Sequence, residues 1–229
     1  MLEDSLLSTY EKTSLEFFGN TNSLHKLGVN AKKLENAATN QIVDILKLKD
    51  KEIIYTSDRC EANSLAILGL LDKYKFSDKN IIVFDNCDES ILSLKTLVEN
   101  YGIEFNILSI KDDIKSKINK NTVLVCTSFV SNIKEISNFL KEYNRCFLLI
   151  DITDNFSLDF DFSLGDFISF DASSCNGILG IGCLLKNKRV VIEPIYHGGK
   201  STTIYRSGTP ALPLIVSFAK SIKLMNNGK

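Results

Sequence analysis

The sequence predicts an α/β protein with three layers, α/β/α, around a mostly parallel sheet. Short runs of apolar and β-branched residues alternate with segments whose apolar positions recur at helical spacing, which is typical of a parallel sheet covered by helices. The 229 residues are 44% hydrophobic and 24% charged, which is ordinary for a protein with one large core. We therefore expect a single domain over residues 1–229, with residues 1–20 as an N-terminal helical arm.

The predicted elements follow one another along the whole chain. Apolar positions between about residues 2 and 18 suit a short amphipathic helix, and Asn22 or Ser23 can cap a longer helix that follows. Gly102 stands where a C-cap glycine belongs. Strands are predicted at residues 53–56, 81–84, 105–109, 123–127, 147–151, 167–170 and 181–185. Further helices are predicted at about residues 61–74, 89–101, 113–118 and 133–143, and from Pro210 to about residue 224.

Charge and cysteine usage argue against several classes of function. The net charge is −1 and no basic cluster occurs, so there is no electrostatic basis for nucleic-acid binding. No apolar run has membrane-spanning length, and the acidic N-terminus lacks a signal-peptide pattern, so we expect a cytoplasmic protein that does not enter a membrane. The six cysteines stand singly, which predicts reduced, mostly buried thiols and no metal site.

Polar residues follow the predicted strands. In a mostly parallel sheet, ligands bind beyond the carboxyl ends of the strands, where helix N-termini offer free N–H groups to anions. A ligand site is therefore expected among the strand tips at residues 57–61, 84–88, 128–132, 151–155 and 171–176.

Four motifs carry a family resemblance. They are F-G-N-T-N-S-L-H-K-L-G at residues 18–28, E-I-I-Y-T-S-D-R-C-E-A-N-S-L-A-I at 52–67, L-I-D-I-T-D at 149–154 and R-S-G-T-P at 206–210. In this order and at these spacings the chain resembles the cysteine desulfurases of the class V aminotransferase group, which are pyridoxal-phosphate enzymes of fold type I. The resemblance implies the large domain of that fold. Because the chain stops soon after R-S-G-T-P, we expect it without the C-terminal small domain and the persulfide-forming cysteine.

The resemblance assigns cofactor roles to several positions, of which Asp151 is the only intact match. It corresponds to the aspartate that keeps the pyridine nitrogen protonated; a buried strand-end aspartate satisfied by backbone N–H groups is the equally weighted alternative. The other positions have changed. Two positions that would bind the phosphate differ, since Cys60 replaces a threonine and Ser173 replaces a histidine. Two that would contact the ring differ as well, since Asp88 replaces the stacking histidine and Asp154 replaces the ring-contacting glutamine. Asn132 or Ser131 falls near the asparagine beside the ring hydroxyl.

The expected phosphate site has gained acidic residues. Asp58 begins the turn that in the family reads G-A-T, and Asp171 replaces the serine of the family pattern S-x-H-K. At about 5 Å and an effective dielectric constant near 20, each carboxylate charge would repel each unit of phosphate charge by roughly 3 kcal/mol. Arg59 could offset part of this repulsion.

The lysine position decides the predicted chemistry. The tetrad S-x-H-K of the family reads D-A-S-S at residues 171–174, which places Ser174 where the cofactor lysine belongs. An aldimine needs a primary amine, so we predict no catalytic residue and expect pyridoxal phosphate to be bound without a covalent link or not at all. We expect Lys186 and Lys188 at the far end of the next strand, and Lys200 replaces a glycine. Cys60 begins a predicted helix, a position that lowers a thiol pKa.

These patterns leave three interpretations open. The first is a non-catalytic desulfurase-like protein that acts by binding another protein. Its partner would be a second copy of the chain, an active desulfurase, or a sulfur-acceptor or scaffold protein. The second is a pyridoxal-phosphate-dependent cysteine desulfurase or related class V enzyme, or a split-gene subunit completed by a separate chain. The third is a decaying gene product without a selected role, whose preserved alternation of apolar and polar residues still lets it fold.

Overall fold

A seven-stranded sheet forms the centre of the protein in a computed structural model, which describes residues 3–75, 78–143, 146–199 and 201–228. The strands are β1 (Lys51–Thr56), β2 (Lys79–Phe84), β3 (Ile103–Leu108), β4 (Thr122–Ser128), β5 (Phe147–Asp151), β6 (Phe167–Asp171) and β7 (Gly182–Asn187). Their order in the sheet is β1-β7-β6-β5-β4-β2-β3. Strand β7 runs antiparallel to β1 and β6, and the other neighbouring pairs are parallel. The predicted α/β class and mostly parallel sheet are confirmed.

Seven α-helices accompany the strands in the described part of the chain. They are α1 (Asp4–Glu16), α2 (Lys26–Ile45), α3 (Arg59–Tyr74), α4 (Glu89–Leu92), α5 (Lys95–Asn100), α6 (Ile133–Leu140) and α7 (Leu212–Asn227), with short 3-10 helices at Ile114–Ser116, Thr153–Asn155 and Ala172–Cys175. The single helix predicted at residues 89–101 is wrong, because Ser93 and the buried Leu94 interrupt it. Gly102, with a φ of +73°, ends α5 as predicted. The helix predicted from Pro210 begins two residues later.

Helices cover both faces of the sheet. Ser169 and Phe170 are consecutive residues of β6, so their side chains point to opposite faces. Ser169 donates a hydrogen bond to Asn63 of α3, whereas the ring of Phe170 lies 5.7 Å from that of Phe218 of α7. Helices α3 and α7 therefore lie on opposite sides, and α1 and α2 pack against α7. This arrangement gives the three predicted layers.

The N-cap of α2 differs from the prediction. Asn22 and Ser23 do not cap the helix, because their backbone N–H groups bond back to Asn20 in a tight turn. His25 takes this position instead, and its Nδ1 accepts a hydrogen bond of 3.3 Å from the backbone N–H of Gly28. A Cβ atom at Gly28 would lie 2.3 Å from the carbonyl oxygen of Ser23, so only glycine fits against this turn.

The strand ends meet at one edge of the sheet. Thr56 of β1 pairs with Gly182 of β7, which pairs with Asp171 of β6. On the next strand, Asp151 pairs with Ser169 of β6 and with Ser128 of β4. The strand tips that the sequence singled out thus lie side by side. Among the described residues, no helix is long and apolar enough to cross a membrane.

Candidate functional site

Asp151 lies at the carboxyl end of β5 and is almost fully buried. Its Oδ2 accepts a hydrogen bond of 2.8 Å from the side-chain amide of Asn63, and its Oδ1 accepts one of 2.9 Å from the backbone N–H of Thr153. Burial raises the pKa of this carboxyl group, although these hydrogen bonds and the charge of Arg59 act in the opposite direction. Both oxygens of Asp151 therefore have partners within the chain.

Asn63 is a residue of the site that the sequence alone did not identify. Its amide nitrogen also donates to Ser90 Oγ at 2.9 Å, and its oxygen accepts from Ser169 Oγ at 2.6 Å. The side chain is fully buried between α3, β5 and β6. An asparagine inside an apolar helical segment is the signal that could have revealed it, because a buried amide needs partners for its donors and its acceptor.

Arg59 forms ion pairs with Asp88 and Asp154, two of the positions that differ from the family pattern. Its Nη2 lies 3.0 Å from Oδ2 of Asp88, and its Nη1 lies 3.1 Å from Oδ1 of Asp154. Burial alone would raise the pKa of Asp88, but hydrogen bonds from Ser90 and the charge of Arg59 hold it below its ordinary value. The guanidinium thus bridges the residues that the resemblance places at the stacking histidine and the ring-contacting glutamine of the cofactor site.

Asp58 and Asp171 cap two of the helices that begin at this edge, α3 and the 3-10 helix Ala172–Cys175. Oδ1 of Asp58 accepts from the backbone N–H of Glu61 at 3.0 Å, and Oδ1 of Asp171 accepts from the backbone N–H of Ser173 at 2.9 Å. Gly182 lies between them, since a Cβ atom there would be 2.8 Å from the carbonyl carbon of Asp58 and 3.1 Å from Cβ of Asp171. The two carboxylates use N–H groups that would otherwise be free to bind an anion.

In the segment 171–174, where the resemblance expects the lysine, both serine hydroxyls donate to Asp171. Ser173 is exposed, and its hydroxyl donates to the Asp171 carboxylate. Ser174 is half-buried, and its hydroxyl donates to the backbone carbonyl of Asp171. Lys186 pairs with Phe167 and Glu52 near the opposite ends of β6 and β1, and Lys188 Nζ donates to the carbonyl of Lys49 there. Lys200 lies outside the described residues.

Cys60 is the exposed thiol among the six cysteines, and it lies at the start of α3 as predicted. The expectation of a lowered pKa is wrong. Partial burial and the negative charges of Asp58 and Asp88 raise the pKa of the thiol, and Arg59 offsets this only in part. The other five cysteines are buried, and the part of the chain that the structure describes contains no group of residues suited to holding a metal ion.

Asn132 lies apart from the Arg59 contacts. It precedes α6 without capping it through its side chain, and it borders a cavity of about 180 Å³ together with Asp113 and Phe139. The structure therefore brings Asp151, Cys60 and Asp154 around Arg59 and places Ser173 on the Asp171 turn. Asn132 lies instead beside the 3-10 helix Ile114–Ser116, with which it lines the same cavity.

Glu61 and Arg206 form a second contact that the sequence did not reveal. Glu61 Oε1 accepts from Arg206 Nε at 2.9 Å, and Oε2 accepts from the backbone N–H of Ser57 at 2.7 Å. The Glu61 side chain is buried, whereas Arg206 remains partly exposed. This pair ties the R-S-G-T-P segment to the start of α3 within the same chain.

A family model for aminotransferase class-V matches residues 1–229. The chain belongs to this family. Curated relatives include a NifS/IcsS protein homolog of Lactobacillus delbrueckii subsp. bulgaricus, which is 32% identical over 96% of this chain and 62% of its own length. The mitochondrial cysteine desulfurase of Candida albicans is 32% identical over 92% of this chain. The chain spans only 48% of that relative.

Solved structures show the same fold. A structure described as SspA in complex with cysteine superposes with a TM-score of 0.89 at 24% identity, covering 97% of this chain and 69% of the other. A NifS-like protein superposes with a TM-score of 0.88 at 22% identity, covering 99% and 67%. The class-V chain described here thus has the large-domain fold of the type I pyridoxal-phosphate enzymes.

The site residues of this class-V chain do not fit pyridoxal phosphate. Ser174, to which the resemblance assigns the position of the Schiff-base lysine, carries a hydroxyl that donates to the backbone carbonyl of Asp171. One N–H group at the start of α3 is taken by Asp58, and one at the start of the 3-10 helix Ala172–Cys175 is taken by Asp171. Both carboxylates would also repel a phosphate dianion. Arg59 joins Asp88 and Asp154, the positions that the resemblance assigns to the stacking histidine and to the ring-contacting glutamine. We therefore derive no reaction step through this cofactor.

Proposed function

We propose that this protein is a non-catalytic relative of the cysteine desulfurases that acts by binding another protein. The observation that carries the proposal is the state of position 174, where a serine hydroxyl bonded to the Asp171 carbonyl replaces the amine that an aldimine requires. The fold of the large domain is kept at the same time, and Phe167, Ile168 and Phe170 of β6 are fully buried. Retention of the fold without the reactive group favours a structural role over a chemical one.

Exposed apolar side chains support an association role. Leu15 and Phe18, at the end of α1 and just beyond it, are 70% and 71% exposed, and Leu24 is 95% exposed. Leu179 and Ile204, in the segments after β6 and before α7, are also largely exposed. Contiguous apolar patches on a surface are typical of contact regions, and we infer that these side chains contribute to one. A second copy of this chain or an active cysteine desulfurase is the partner that we propose, with a sulfur-acceptor or scaffold protein as a further candidate.

Addition of pyridoxal phosphate to the purified protein tests the loss of chemistry. We expect no stoichiometric absorbance band between about 320 and 430 nm and no single lysine adduct after borohydride reduction and mass spectrometry. Scattered low-level labelling of surface lysines is the expected background. One specific, stoichiometric aldimine would overturn the proposal.

The association is tested separately by light scattering of the protein alone and mixed with a cysteine desulfurase from the same organism. We expect a complex whose formation is lost when Leu15 and Phe18 are both replaced by lysine. Glu11→Ala, on the same helix and also exposed, is the matched control and should leave the complex intact. A monomer that stays monomeric in both experiments would contradict the association role.

The alternative is a pyridoxal-phosphate enzyme completed by a separately encoded chain. The observation that favours it is Asp151, whose position at the end of β5, burial and hydrogen bonds match an aspartate that would face a pyridine nitrogen. Under this alternative, a mixture with the partner chain should form a cofactor band that neither component forms alone, and Asp151→Asn should abolish it.

A further inference from the structure

Arg59 connects three strand tips that the sheet itself does not join. Its own helix, α3, follows β1; Asp88 caps α4 after β2; and Asp154 lies in the 3-10 helix after β5. Four strands separate β1 from β2 in the sheet, and β4 separates β2 from β5. The ends of β1, β2 and β5 therefore share no backbone hydrogen bonds with one another. The ion pairs of the Arg59 guanidinium connect them instead.

Negative charge surrounds the guanidinium. Asp88 and Asp154 contact it directly, and Asp151 acts on it electrostatically from the end of β5. The side chains of Arg59 and Asp88 are 27% and 22% exposed, so this contact is only partly screened by water. Without Arg59, these three carboxylates would have no counter-ion from α3.

We propose that the guanidinium of Arg59 acts as an internal ligand of these three carboxylates. It lies between Asp88 and Asp154, the positions to which the resemblance assigns two residues that contact the cofactor ring, and it holds the strand tips together as a bound molecule would. In a variant without this side chain, the vacated space accepts a small planar cation of the guanidinium class. This inference does not depend on whether the protein binds a partner, since it concerns only the group that pairs with these carboxylates.

Chemical rescue of Arg59→Ala tests the proposal. Alanine removes the atoms from Cγ outward, and ethylguanidinium supplies an equivalent set. We expect the variant to melt about 2–4 °C below the wild type, and low-millimolar ethylguanidinium to restore most of that difference with a saturable dependence on concentration. N-ethylurea, which has a similar shape but no charge, should restore none of it.

Lys73→Ala is the matched control, because Lys73 also lies on α3 and its amine contacts Glu193 at 2.9 Å on the surface. Ethylguanidinium should change neither the melting temperature of this variant nor that of the wild type. The addition of Asp88→Asn and Asp154→Asn to Arg59→Ala should abolish the rescue. An unchanged melting temperature in Arg59→Ala, or equal effects of ethylguanidinium and N-ethylurea, would overturn the proposal.

A second measurement applies if Arg59→Ala does not fold. Asp154 is 80% exposed, so Asp154→Asn leaves the core untouched, and it should lower the melting temperature of the otherwise intact chain by about 1–3 °C. Asp72→Asn, at an exposed aspartate on α3, is the control for the loss of one surface charge. A melting temperature that stays the same or rises in Asp154→Asn would show that repulsion among the acids dominates, and the proposal would fail.

Discussion

The side-chain amide of Asn63 lies 2.8 Å from the carboxylate of Asp151, with both residues buried beneath the strand tips. We expect Asn63→Ala to lower the free energy of unfolding by about 1–3 kcal/mol at pH 7, because it leaves Oδ2 of the charged carboxylate without its donor in a region that water does not reach. Chemical denaturation of both proteins measures this difference.

The same substitution should change the pH dependence of stability. Burial already raises the pKa of Asp151 in the folded protein, and Asn63 opposes that rise. Without Asn63 the folded-state pKa rises further, so the folded variant gains more stability than the wild type as the pH falls and the group is protonated. The stability difference should therefore shrink from pH 7 toward about pH 4.5.

Asn80→Ala is the control for this effect. Asn80 is also buried, but its oxygen accepts from the hydroxyl of Thr122 at 2.9 Å, which does not titrate in this range. Its cost should be independent of pH. Equal pH profiles for the two variants would contradict the role assigned to Asn63.

Introducing the missing amine should not restore a cofactor site. We expect Ser174→Lys to form no stoichiometric aldimine with pyridoxal phosphate, because Asp58 and Asp171 still repel the phosphate and Arg59 still bridges the ring positions. Absorbance near 420 nm and borohydride trapping measure the adduct. Ser173→Lys, at the exposed neighbouring position, gives the background of a lysine on the same turn, and a clear excess of adduct at position 174 would show that the serine alone had disabled the site.

Thiol reactivity should be confined to Cys60 in the folded protein. The pKa of Cys87 is raised by burial to about 12, and Cys126 and Cys183 are fully buried. We expect iodoacetamide at pH 7 to modify Cys60 alone, and more slowly than it modifies a free cysteine, because the nearby aspartates raise the pKa of this thiol. Mass spectrometry locates the label, and Cys60→Ser should remove it. Fast labelling of a buried cysteine would contradict the packing described here.

Lys186 should contribute strongly to stability although it lies far from the site. Its side chain is fully buried; its amine donates to the carbonyls of Asn187 and Val190 and pairs with Glu52. Lys186→Met should cost about 2–4 kcal/mol, because both carbonyls lose a donor and Glu52 loses its counter-ion. Lys188→Met, on the exposed neighbour, should change stability by less than about 0.5 kcal/mol. Similar losses in the two variants would refute this assignment.

Much of the fold was predictable from local pattern. Strand β5 was predicted at its observed bounds, and the other strands within one or two residues, because buried parallel strands are short apolar runs between polar tips. The break between α4 and α5 was not predictable, since Ser93 and Leu94 both fit a helix, and only packing against the core turns Leu94 inward. The cap of α2 was missed for a similar reason: the turn at Asn20 depends on the close approach of Gly28.

The sequence alone established the family, the mostly parallel sheet and the serine at position 174, because these depend on residue identity and order along the chain. Only the tertiary structure decided what the changed residues do. Arg59, Asp88 and Asp154 are separated by tens of residues, and their contact arises because the carboxyl ends of β1, β2 and β5 point to the same edge of the sheet. The same long-range packing places Asn63 against Asp151 and reverses the pKa shift expected for Cys60, since charges act through space and not along the sequence.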